Sequence, residues 1–184
     1  MAIFGGKKPQ DEAHALYVAI VGQARQPVLF EDFGVPDSVD GRFDMISLHI
    51  FLVLRRLKAD VDKTADLAQC LFDTMFADMD RSLREMGAGD LGVGRRVKAM
   101  ATAFYGRLSA YEKAMQSNDR TVLRDAVVRN IFRDDAKKIG ESEMIADYVL
   151  WLAPSLEALP IDDLLMGKID FPPPEASKII GGGR

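Results

Sequence analysis

Apolar residues recur along most of this chain at the spacing of one α-helical turn. Ala13, Leu16, Tyr17, Ile20, Val21 and Ala24 fall at i, i+3, i+4 and i+7, behind Pro9, Asp11 and Glu12, which suit a helix's first turn. The stretch from Pro27 to Pro36 breaks that pattern, and Val28-Leu29-Phe30 reads as a short extended piece with no partner strand in the sequence. Residues 38–58 predict a second helix with Phe43, Ile46, Ile50, Leu54 and Leu57 on one face. Leu48, Phe51, Leu52 and Val53 spread around its other faces. A helix apolar on nearly all sides is surrounded by other helices, so this one is expected at the centre.

The third helix, over residues 64–86, has the cleanest division. Leu67, Ala68, Leu71, Phe72, Met75, Phe76, Met79 and Leu83 cover one half, and Asp66, Gln69, Asp73, Asp80 and Arg84 the other. Glycines from Gly87 to Gly94 read as a flexible connection. From Arg95 a fourth helix aligns Val97, Met100, Ala101, Phe104, Leu108, Tyr111 and Met115. Gly106 interrupts it at a cost of ~1 kcal/mol against alanine, which close backbone contact would offset. Asn118-Asp119 starts a fifth helix with Leu123, Ala126, Val127 and Ile131 inward. A sixth begins near Ser142 and is kinked or ended at Pro154, and residues 162–166 make a last short turn. Pro172-Pro173-Pro174 is stiff and extended, and Gly181-Gly182-Gly183 is flexible. The expectation is an all-α, single-domain bundle of about six to seven helices over residues 1–171, followed by a flexible Pro/Gly-rich tail over 172–184. No internal repeat and no second domain are expected.

Composition narrows the chemistry. The chain has 184 residues, 48% of them apolar, enough for one well-formed core. Its 24 basic and 28 acidic residues leave a net charge of −4, which argues against a protein that coats nucleic acid and against DNA as a partner. A single cysteine excludes a disulfide framework, and two histidines leave little for a metal site; none is expected. No apolar run approaches the ~20 residues needed to cross a bilayer. Lys7 and Lys8 ahead of residues 13–24 superficially resemble a signal peptide, but Asp11, Glu12 and His14 occupy the start of its apolar region. The expected location is the cytoplasm, or the periphery of the inner membrane.

Individual motifs are weak. Gly87-Ala88-Gly89-Asp90-Leu91-Gly92 matches the dinucleotide expression GxGxxG, yet it follows a helix rather than a strand and places Asp90 where phosphate would sit. A glycine C-cap and loop explain it better. Basic residues cluster as Arg55-Arg56-Lys58, Arg95-Arg96-Lys98 and Arg129-Arg133-Lys137-Lys138. They read first as solvated helix ends and second as a basic side for an anionic partner, such as ribosomal RNA or a membrane face. His49, inside the most apolar helix, reads as a buried histidine satisfied by a hydrogen bond; Ser47 lies on another face, so no catalytic dyad forms. His14 has no obvious partner, and Cys70 has no second cysteine for a redox pair. Asp73, Asp80 and Glu85 read as surface charges rather than metal ligands, while Asp78 lies at the core boundary and would pair with a buried-side arginine. Met75, Met79, Met86, Met100 and Met115 fall on or beside core stripes and read as packing.

Taken in order, several short stretches form a pattern. Leu48-His49-Ile50-Phe51, Arg56-Leu57-Lys58, Phe76-Ala77-Asp78, Phe104-Tyr105 with Tyr111, Arg129 with Phe132, Tyr148-Val149 and Asp163-Leu164-Leu165-x-Gly167 together resemble the ubiquinol-cytochrome c chaperone family. The likeness runs from about Phe30 to Phe171, and DGRFDMISLH and LFDTMFADMDRSLREMG are similar to its bacterial branch. It implies an all-α assembly factor for respiratory complex III rather than an enzyme, with newly made cytochrome b as the partner. Mitochondrial members of the family work beside the ribosome with a small partner protein; no mitochondrial presequence is expected here, which fits a bacterial member. The family supplies no catalytic residue to transfer. His49, Arg56, Asp78, Phe104, Tyr105, Tyr111 and Arg129 are the family-matched structural or binding positions, with Phe104, Tyr105 and Tyr111 supplying or supporting an apolar client surface. The competing reading is a helical protein or enzyme with an apolar pocket for haem or quinone, in which His49 would be the axial ligand. A helical transcription regulator is a weaker third, because the apolar first two helices supply no basic helix-turn-helix.

Overall fold

The computed structural model describes residues 9–85, 87, 89–176 and 179. Lys7, Lys8, Met86 and the Gly181-Gly182-Gly183 run lie outside the described residues. Among the described residues the regular structure is entirely helical: α1 (Gln10–Ala24), α2 (Pro27–Glu31), α3 (Val39–Lys58), α4 (Val61–Glu85), α5 (Asp90–Ser117), α6 (Arg120–Ile131), α7 (Ile139–Glu157) and α8 (Ile161–Leu165), with a single 3₁₀ turn at Ala136–Lys138.

Helix α3 is the axis of the bundle, touching α1, α4, α5, α6 and α7. Its all-round apolar sequence now has a cause. Leu48, Ile50, Phe51, Leu52 and Val53 follow one another around the helix, and all are buried because neighbours surround it. Each such side chain contributes on the order of 1.5–3 kcal/mol by leaving water. Helix α1 lies across α3 and α4; α6 packs between α5 and α7.

Local signals account for most boundaries. Ser38 is the N-cap of α3, its Oγ accepting from the Gly41 amide at 3.1 Å, and three basic residues occupy the last turn. Thr64 closes the α3–α4 corner by donating to the Leu57 carbonyl at 2.7 Å. Asp119 caps α6 through the Thr121 amide at 2.8 Å, as Asn118-Asp119 indicated.

Several expectations need correction. Val28-Leu29-Phe30 is not extended: Pro27 takes the first position of α2, where its fixed φ and missing N–H cost nothing, and Leu29 is buried beneath it. The connection expected from Gly87 to Gly94 is shorter, because α5 starts at Asp90 and absorbs Gly92 and Gly94. Gly87 does turn the chain, with φ of 83° and its amide bonded to the Arg84 carbonyl. Helix α7 starts at Ile139 and carries Pro154 inside its last turn rather than ending there. Gly106 has nothing within 4 Å of where a Cβ would be, so close backbone contact is not its reason.

After α8, Gly167 turns the chain at φ of 73°. The following residues cross back over the bundle: the Pro172 carbonyl accepts from Gln23 Nε2 at 3.2 Å, and Pro174 and Ile179 are buried.

Candidate functional site

Helices α3, α4 and α5 share a surface built from aromatic rings. Phe104 is fully buried and forms its base. Phe72 and Phe76, one turn apart on α4, lie 4.6 Å from each other and each 5.9 Å from Phe104, centroid to centroid. Tyr105 stands on this ladder, 5.5 Å from Phe72 and 6.0 Å from Phe104, yet 58% of it remains exposed. Three residues on, Leu108 joins Phe51 and Leu54 around an apolar notch of about 250 Å³. Its rim is charged: Arg55 and Lys58 approach Glu112 at 3.7 and 3.5 Å. An exposed ring on a rigid aromatic base, beside a hole shaped for one large apolar side chain, can hold a helix of another protein by its apolar stripe.

Behind this face two buried polar clusters fix the helices. In the first, His49 Nδ1 donates to the Met45 carbonyl at 2.7 Å, and its Nε2 accepts from the Tyr148 hydroxyl at 2.6 Å. Gln23 Nε2 in turn donates to that hydroxyl at 3.0 Å, and Phe171 covers the imidazole edge-on at 6.2 Å. Complete burial holds the His49 pKa down at about 4, and burial likewise pushes the Tyr148 phenol above its ordinary value. Both ring nitrogens are engaged, so neither is free to serve as the axial haem ligand of the competing reading.

In the second cluster Asp44 of α3 is fully buried between two arginines. Arg107 Nη2 lies 2.6 Å from one carboxylate oxygen and Arg133 Nη2 lies 2.8 Å from the other. Burial raises the Asp44 carboxyl pKa, and the two guanidiniums oppose that rise. Arg107 also sits over the Phe43 ring at 5.4 Å. Arg133 and Asp134 both adopt positive φ, at 56° and 60°, a strain held by the ion pair and by Arg133's bond to the Asn130 carbonyl. Sequence reasoning missed this cluster. A lone Asp amid apolar neighbours on a central helix was its signal.

The family-matched residues do not converge on one spot. Tyr111 is fully buried against Phe51, centroids 5.6 Å apart, and its hydroxyl has no hydrogen-bond partner among the described residues. It and Phe104 can therefore support the aromatic face but not touch a client. Arg56 ties the end of α3 to the α7–α8 corner, donating to the Leu159 carbonyl at 2.9 Å and to Asp60 at 2.7 Å. Asp78 does not meet a buried-side arginine: its buried partner is the Tyr17 hydroxyl, which donates to it at 2.8 Å, and its arginine is the exposed Arg81 at 2.8 Å, all lining a groove of about 580 Å³ between α1 and α4. Arg129 is exposed on the opposite side, between α5 and α6. Met75 and Met79 are buried in the core, and Met100 and Met115 pack partly against it.

A family model described as ubiquinol-cytochrome C chaperone matches residues 31–171, most of this bundle and every family-matched residue above. The chain belongs to the ubiquinol-cytochrome C chaperone family. The ubiquinol-cytochrome c reductase complex assembly factor 1 of Drosophila melanogaster is 26% identical over 159 residues, covering 84% of this chain and 61% of the fly protein. The Xenopus laevis protein of the same name is 25% identical over 154 residues, covering 82% of this chain and 75% of that protein. This chain thus spans less than two thirds of the fly relative's length. The crystal structure of the Cbp3 homolog from Brucella abortus aligns with a TM-score of 0.81 at 37% identity, over 93% of both chains. The ubiquinol-cytochrome C chaperone fold is therefore the fold of this molecule, within a family of complex III assembly factors. No helix among the described residues is long and apolar enough to cross a membrane.

Proposed function

We propose that this chain acts by binding rather than by turnover, holding newly made cytochrome b until it assembles into ubiquinol-cytochrome c reductase. The observation that carries the reading is Tyr105: an aromatic ring more than half exposed, on a rigid aromatic base, beside the Phe51–Leu54–Leu108 notch. A transmembrane helix outside its bilayer presents an unbroken apolar surface, and a holding site for it needs a firm apolar anchor that still lets go. One exposed ring and one notch give such a grip without a large dry interface. The charged rim of Arg55, Lys58 and Glu112 limits the apolar area and favours release. Contact takes place on the cytoplasmic side, where the client leaves the ribosome and meets the membrane.

A photoreactive phenylalanine analogue placed at position 105 or 108 during cytochrome b synthesis tests this. The expected result is an adduct with cytochrome b from both positions and none from Asp66, on the polar side of α4. Adducts from neither face position overturn the proposal.

A further inference from the structure

Further around α5 from the notch, which shares Ser109 with it, α5 and α6 leave an open groove of about 580 Å³. The floor is lined by small residues, Ala103, Gly106, Ser109 and Ala110. Cations stand around it: Arg107 and Lys113 from α5 and Arg129 from α6, with no carboxylate in the lining. Asp44, the nearest buried anion, is already shared by two guanidiniums, Arg107 and Arg133, so the cluster keeps an excess of positive charge. Arg133 leaves 49% of its side chain in solvent and extends that charge. The absence of a side chain at Gly106, unexplained by packing, keeps the floor open.

We infer that this groove seats the phosphate of an anionic phospholipid headgroup and docks the protein on a bilayer surface. The chain's net charge of −4 makes the basic side local, suited to a few phosphates rather than a long polyanion. Single-stranded nucleic acid calls for aromatic rings on which bases stack, and the groove lining contains none. Docking by this groove would keep the client-holding face of the same helix close to the bilayer into which the client goes. The inference concerns the bilayer alone and needs no client, so it can fail while the cytochrome b reading stands, and the reverse.

The test is co-sedimentation of the full chain with vesicles of phosphatidylcholine, with vesicles in which part of that lipid is replaced by phosphatidylglycerol, and titration with a single-stranded RNA. Binding is expected to the phosphatidylglycerol vesicles only, weakening as salt rises. The paired variant Lys113→Glu/Arg129→Glu, both positions exposed, should lose binding by on the order of tenfold or more. Arg95→Glu/Arg96→Glu carries the same charge change about 25 Å or more along α5 from Lys113 and should bind nearly as the parent does. Gly106→Phe, which fills the groove without altering charge, should weaken binding too; nothing in the fold opposes its Cβ. Equal loss in both charge-reversed pairs, full binding by Gly106→Phe, tighter binding to RNA than to vesicles, or no vesicle binding would each overturn the inference.

Discussion

The Nε2 of His49 and the hydroxyl of Tyr148 are 2.6 Å apart in a fully buried site, joining α3 to α7. The direction of that bond is fixed by its surroundings. The Met45 carbonyl can only accept, so the imidazole carries its proton on Nδ1 and leaves Nε2 to accept from the phenol. Gln23 then donates to the phenol oxygen and to Pro172, extending the chain of bonds to α1 and to the returning C-terminal segment.

Tyr148→Phe should therefore cost more than one hydrogen bond. It leaves His49 Nε2 buried without a donor and takes one of Gln23's acceptors. A loss of about 2–3 kcal/mol is expected, measured by chemical denaturation, with helix content unchanged in the native baseline. A loss below half a kcal/mol would mean the network is not formed.

The same histidine sets an acid limit. Its folded pKa of about 4 lies below the ordinary 6.5, so the unfolded chain binds its proton first. The contribution is full above pH 6.5, falls as pH drops toward 4, and levels below that; its span is about 3 kcal/mol. Unfolding free energy measured across this window should show that slope, and His49→Gln should flatten it.

Asp44 predicts a different asymmetry. Asp44→Ala strips the buried counterion from Arg107 and should destabilise by about 3–5 kcal/mol. Arg107→Met in the same chain should recover part of that loss, because no lone charge is left beside the Phe43 ring. Thermal unfolding of both single variants and the pair measures the recovery; strict additivity would contradict the ion pair.

Two glycines should respond in opposite ways to alanine. A Cβ at Gly41 would lie 2.0 Å from the Pro36 carbonyl oxygen, so Gly41→Ala must push the 36–41 turn away from the start of α3 and lower Tm. Gly92, inside α5 with open space around it, should accept alanine and gain about 0.5–1 kcal/mol. Differential scanning calorimetry of the two variants gives both signs at once.

The bundle was legible because helical spacing and caps are local. Leu67 to Leu83 and the Ser38 and Asp119 caps carry their own instructions, and the all-round apolar α3 announced its central place. Val28-Leu29-Phe30 misled because a five-residue helix has too few turns to show a period, and only Pro27 marked its start. The aromatic face was half legible: Phe104, Tyr105 and Tyr111 share a stretch of α5, but only packing against Phe72 and Phe51 decides which ring stays outside. The Asp44 cluster and the Gln23–Tyr148–His49 chain join residues far apart in sequence, and no local pattern links their members.

Holding of cytochrome b by this chain has a direct test in the cell. In a host deleted for this gene, haem absorbance of cytochrome b and assembled complex III should fall, and the parent chain should restore both. Tyr105→Asp, accumulating to the same level, should not. Unchanged cytochrome b in the deleted host, or full restoration by Tyr105→Asp, would contradict it.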